Sequence, residues 1–138
     1  MSASSDYLEL KLLDHVLGNT AYSQPSNIYV ALFTASTGLE SNNPSAEVST
    51  SGTAYQRQAV SFANASSGSC ATDATLTFPV ATANYGTVTH IAIVDHASNT
   101  NWGTGVNVLF YGALTTSKQI DTNDQFIISS GNLTVTLA

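Results

Sequence analysis

Ile28-Tyr29-Val30-Ala31-Leu32-Phe33-Thr34 is apolar on both of the parities that a β-strand turns towards its two faces. A strand of that kind must be covered on both sides, which makes it the centre of a packed β-structure rather than a half-wet edge. Pro25 bounds the run upstream. Downstream, residues 35–53 hold Gly, Asn, Pro, Ser and Thr with almost no bulky apolar side chain, and so predict an extended loop or arm that is exposed and orders on a partner. Period-two alternation then marks half-buried strands at Gln58, Val60 and Phe62, at Leu76 and Phe78, at Ile91 and Ile93, and at Leu133, Val135 and Leu137. Val106 to Thr115 and Gln125 to Ser129 read as two more, separated by the turn Asp121-Thr122-Asn123-Asp124.

Upstream of the decisive run lies the one helical pattern, over residues 6–17. Asp6 serves as cap, Glu9 as its capping-box partner and Gly18 as the stop. Leu8, Leu12 and Val16 form one row and Leu10, Leu13 and Leu17 an adjacent one, an apolar face wide enough to need cover from the domain or a neighbouring subunit. No second helix of crossover length exists to link parallel strands. The expected fold is therefore mainly β: one domain over 1–138, an antiparallel β-sandwich or jelly-roll-like array of about seven strands with one N-terminal amphipathic α-helix.

Composition narrows the function. The chain has 138 residues, of which 9% are charged, and a formal net charge of −6. An acidic surface with three cationic side chains, Lys11, Arg57 and Lys118, has the wrong sign for nucleic acid. No apolar window approaches the length of a membrane span, and no basic leader precedes an apolar run, so the expectation is a chain made and folded in a cytoplasm, with no membrane partner. A lone Cys70 forms no internal disulfide and sits among Gly68, Ser69, Ala71 and Thr72, which supply neither a base nor a cation to activate it.

Of the catalytic-looking groups, His90, Asp95 and His96 come closest to a cluster. In a regular strand, however, His90 and Asp95 point to opposite faces, and His96 falls in the following turn. Asp121 and Asp124 lack the twelve-residue loop and closing Glu of a calcium site. No catalytic residue, cofactor or metal is expected. Trp102, in the polar stretch Asn99-Thr100-Asn101-Trp102-Gly103-Thr104-Gly105, is either tucked beneath its loop or offered to a partner, and with Tyr85 it could form the stacking platform of a carbohydrate-binding β-sandwich.

Four stretches together resemble small virion proteins of tailed bacteriophages: Tyr7-Leu8-Glu9 with Leu13-Asp14-His15-Val16-Leu17-Gly18-Asn19-Thr20; Ile28 to Thr34; Gly86-Thr87-Val88-Thr89-His90-Ile91-Ala92-Ile93-Val94-Asp95; and Gly112-Ala113-Leu114-Thr115-Thr116-Ser117-Lys118. Tyr55 to Val60 and Ser129 to Leu137 extend the likeness over nearly the whole chain, while the turn 96–107 is longer than expected for such proteins and the loop 35–53 lies where they vary. The resemblance implies an all-β fold located in the virion, with assembly as its activity and no cofactor. Its leading form is a capsid decoration (cement) protein that binds the major capsid protein as a trimer or dimer of itself. The alternative is a tail-fibre or baseplate component contacting other virion proteins. The expected contact residues are Leu8, Leu12 and Val16 of the helix, Glu40, Asn42 and Asn43 of the arm, and Trp102.

Overall fold

A computed structural model of the chain describes residues 2–137. The fold is mainly β, with nine strands and one helix among the described residues: β1 (Ala3–Ser4), α1 (Asp6–Val16), β2 (Tyr29–Phe33), β3 (Gln58–Ala59), β4 (Ser69–Ala71), β5 (Leu76–Thr77), β6 (Gly86–Val94), β7 (Val108–Ile120), β8 (Ile127–Ile128) and β9 (Thr134–Thr136). A five-stranded antiparallel sheet runs β1-β7-β6-β2-β3, and two small pairs, β4-β9 and β5-β8, accompany it.

The double-faced apolar run becomes β2, paired with β6 from Tyr29↔Val94 to Phe33↔His90. Val30 and Leu32 pack on one side with Ile91 of β6 and with Leu76, Phe78, Phe126 and Ile128 around the β5-β8 pair. Ala31 and Phe33 pack on the other with Leu39, Val106 and Val108. A third cluster joins Leu8 of α1 to Ile93, Leu109 and Val135, drawing the β4-β9 pair over the same face as β5-β8. Because neighbouring strand residues alternate faces, the parity of β2 and β6 sorts these clusters, and the result is sandwich-like.

The helix begins one residue earlier in its capping than the sequence pattern placed it. Ser5 is the N-cap, accepting from the Leu8 N–H at 3.3 Å, and Glu9 accepts from the Ser4 hydroxyl at 2.8 Å. Gly18, at φ +94°, turns the chain out of the helix, as expected.

Residues 35–53 correct a larger expectation, because they are folded onto the domain rather than held out as an arm. Phe33 bridges to Glu47, and the Thr34 and Val48 N–H groups donate to Ala46 and Leu32 carbonyls, so the loop returns along β2. Leu39 is fully buried and Val48 nearly so. The tip closes tightly at Gly38, φ +77°, where an added Cβ would lie 2.0 Å from the Asn43 carbonyl oxygen. Hydrogen bonding along the loop replaces the apolar side chains it lacks.

Candidate interaction surfaces

Arg57 organises one end of the sandwich. Its guanidinium makes a two-pronged pair with Glu47, Nε to Oε1 and Nη2 to Oε2 both at 2.7 Å, the one salt bridge among the described residues. Nη1 donates to the carbonyls of His96 and Asn99, at 2.9 and 3.0 Å. The Tyr55 hydroxyl donates to Glu47 Oε1 at 3.0 Å and accepts from the Leu32 N–H at 3.0 Å. One buried cation thus ties the loop 35–53, the turn after β6 and the central strand together, with its donors occupied by oxygens of this chain.

Trp102 belongs to that network. It is half-buried against Phe33, ring centroids 6.4 Å apart, and the Arg57 guanidinium lies 5.0 Å from its ring centroid. The indole is therefore tucked beneath the loop. Tyr85 is buried in the core with its hydroxyl donating to the Pro79 carbonyl at 2.9 Å. The expected sugar platform of Trp102 with Tyr85 is corrected, since Tyr85 is buried in the core and offers no ring face beside the half-buried Trp102.

The other expected contact residues divide. Asn42 is buried: its Oδ1 accepts from the Val108 N–H at 2.7 Å and its Nδ2 donates to Asn107 Oδ1 at 2.9 Å, which spends it internally. Asn43 and Glu40 are exposed, although their backbones are engaged: the Asn43 N–H donates to Gly38 and the Glu40 carbonyl accepts from Asp6. Leu8 is buried in the core and Leu12 is half-buried, whereas Val16 is exposed. Leu10, Leu13, Val16 and Leu17 are 65%, 56%, 74% and 74% exposed, so the outer side of α1 is an uncovered apolar ridge.

Beside the inner side of α1 lies an apolar hollow of about 340 Å³, between the β4-β9 pair and the main sheet. Ile28, Phe62, Cys70, Leu109, Val135 and Leu137 line it, and no charged side chain does. Nothing in residue spacing announces this hollow, because its walls come from segments far apart in the chain. Leu133-Thr134-Val135-Thr136-Leu137, alternating towards one face, was its one visible trace.

His90, Asp95 and His96 are each occupied locally. His90 Nδ1 lies 2.8 Å from the Thr89 hydroxyl, Asp95 accepts from the Asn107 backbone and side-chain N–H groups at 2.6 and 2.8 Å, and His96 Nδ1 accepts from the Ser98 and Asn99 N–H groups. Asp121 and Asp124 close their turn through the Asp121 N–H to Asp124 Oδ2 bond, at 2.9 Å.

Tyrosines carry the perturbed acidities. Desolvation by burial, followed by the charge of Glu47, holds the Tyr55 hydroxyl well above its ordinary value of 10.0. Tyr22 is pushed up to about 12, first by desolvation and then by Tyr7 and Asp95. A raised tyrosine keeps its proton longer folded than unfolded. Its contribution is therefore complete below pH 10.0 and is lost as pH climbs through the folded value. We expect alkaline unfolding to set in above pH 10. The Tyr22 hydroxyl is buried without a hydrogen-bond partner among the described residues, so Tyr22→Phe is expected to leave neutral-pH stability unchanged or slightly higher and to move the alkaline midpoint upward. Circular dichroism melts from pH 7 to 12 check this; a midpoint that does not move would contradict it.

No helix among the described residues is long and apolar enough to cross a membrane. A family model described as Podophage GP4 fiber I protein gp80 matches residues 3–136. No curated protein matches the chain.

Proposed function

Since the chain belongs to the Podophage GP4 fiber I protein gp80 family and is a small tailed-phage virion structural protein, we propose that it serves as a component of the phage fibre, without catalytic activity. The observation that carries this reading is the extent of the family match, which takes in α1 and every strand. That the family is one of fibre proteins favours the fibre over capsid decoration, so the order of the two expectations drawn from sequence is exchanged. A non-catalytic role is supported by the state of the candidate groups: the imidazoles and carboxylates described above are engaged in their own turns, and the Arg57 guanidinium is spent on this chain's oxygens. Its partners are other virion proteins, met through uncharged polar loops and apolar surface.

Gold-labelled antibody against the chain, applied to intact particles, tests the placement. Label confined to the fibres, with copy number per virion by quantitative mass spectrometry at a few dozen or fewer, is the expected result. Label spread over the shell at hundreds of copies would overturn the fibre reading in favour of decoration.

A further inference from the structure

We propose that the polar cleft beside the Arg57–Glu47 pair binds a neutral saccharide, through hydrogen bonds rather than a stacked aromatic ring. The cleft has a volume of about 330 Å³, at the lower end of the range for small-molecule sites, and shares no lining residue with the apolar hollow beside α1. Residues from 47–57 form one wall and residues from the turn 97–100 the other. At the floor, Tyr55 and Arg57 are buried and the Glu47 side chain is 17% exposed. Thr50, Gln56, Ser98 and Thr100 form an exposed rim.

The bonding capacity left over defines the ligand. A carboxylate offers about four acceptor positions. Glu47 Oε1 uses two, on Arg57 Nε and the Tyr55 hydroxyl, whereas Oε2 uses one, on Arg57 Nη2. One acceptor position of Glu47 is therefore unfilled. Around it the hydroxyls of Thr50, Ser98 and Thr100 and the side-chain amide of Gln56 make no hydrogen bond among the described residues, so the rim both donates and accepts. A ligand hydroxyl does the same, and several hydroxyls on one small ring meet several of these groups at once.

Charge separates a saccharide from other polar ligands. Arg57 neutralises Glu47, so a cation gains little there and meets the guanidinium. An anion meets the Glu47 carboxylate in a chain of net charge −6, and the lining holds no second cation. A lone peptide side-chain amide fills one bonding position and leaves the rest of the rim unmet.

Both walls are fixed before any ligand arrives. Arg57 Nη1 holds the His96 and Asn99 carbonyls while the rest of the guanidinium holds Glu47, so one side chain pins the two walls. His96 Nδ1 accepts from the Ser98 and Asn99 N–H groups at 3.1 and 3.0 Å, and the Thr53 hydroxyl accepts from the Tyr55 N–H at 3.2 Å. Little ordering is left to oppose binding. Trp102 does not line the cleft, so hydrogen bonds alone set the affinity, in the millimolar range.

Two-dimensional amide NMR of the isotope-labelled full chain tests this. The probes are the methyl pyranosides of glucose, galactose, mannose and N-acetylglucosamine, each up to tens of millimolar, with methyl glucuronide as the charged control and N-acetylglutamine amide as the peptide-like one. At least one neutral pyranoside should give saturable shifts in residues 50–57 and 97–100, with the glucuronide several-fold weaker. Ser98→Ala with Thr100→Ala alters exposed side chains alone, and should weaken that binding several-fold with an unchanged circular dichroism spectrum. No saturable shift with any neutral pyranoside, shifts confined to another part of the chain, an equally tight glucuronide, or undiminished affinity in the double variant would each overturn the proposal. Saturation by N-acetylglutamine amide alone would also overturn it, and would assign the cleft to a protein partner's side chain. The proposal does not rest on the fibre reading: particle labelling decides that one, and saccharide titration this one.

Discussion

Arg57→Ala is expected to cost ~3–5 kcal/mol of folding stability, because it leaves the Glu47 carboxylate largely buried without its counter-charge. For a chain of this size each kcal/mol lost lowers Tm by roughly 3–5 °C, so the fall is large and easily read in a thermal melt. Two carbonyls, those of His96 and Asn99, lose their donor in the same step. Amide exchange should therefore quicken in residues 46–53 and 96–100, and the fluorescence of Trp102, the chain's one tryptophan, should shift to the red as its covering guanidinium is removed. The double replacement Arg57→Met with Glu47→Leu should recover a good part of the loss, since no lone charge is then left behind. If the single substitution changes Tm by no more than a degree or two, the network is not the fastening described here.

Phe78→Ala should be as severe, at ~3–5 kcal/mol, through a different mechanism. Phe78 is fully buried, stacks on Tyr55 with ring centroids 6.3 Å apart and meets the edge of Phe126 at 5.7 Å. Those contacts fasten the β5-β8 pair to the main sheet. Denaturant titration should show a lower midpoint, whereas Phe78→Leu, which keeps most of the volume, should lose clearly less. Equal losses for the two substitutions would mean that the aromatic cluster is not what holds the layers together.

Those two sites differ in how far the sequence foretells them. Phe78 sits two residues from Leu76 in a period-two pattern, and such local alternation reveals a buried face without knowledge of the rest of the fold. β2 was legible for the same reason, and α1 from its rows of leucine. Glu47 and Arg57 carry no such pattern. Their pairing depends on the loop 35–53 returning along β2, and that return is written in backbone hydrogen bonds that any residue can make. The composition of the loop argued for an arm, because Leu39 and Val48 are too few to suggest a core. Asn42 and Glu47 supply the missing attachment by hydrogen bonding. β1 and β4, two and three residues long, are too short to show any period. The far half of β7 escaped notice because Thr115 to Gln119 are exposed and polar, and because the four residues of β7 between Ala113 and Lys118 answer the single residue of β6 between His90 and Val88.

The place of β1 also sets a timetable. Ser5 is fastened to Val108 across a separation of 103 residues, and Ala3 and Ser4 pair with Tyr111 and Phe110. During synthesis at about 5–20 residues per second, the beginning of the chain waits roughly 5–20 s for the strand it will lie against. β2 waits as well, for β6, with both of its apolar faces uncovered in the meantime. Closure of this sheet is thus an event of the finished chain, governed by distant pairings that form slowly, and the nascent Tyr29–Phe33 segment is the stretch most exposed to capture by a like segment of a neighbouring nascent chain.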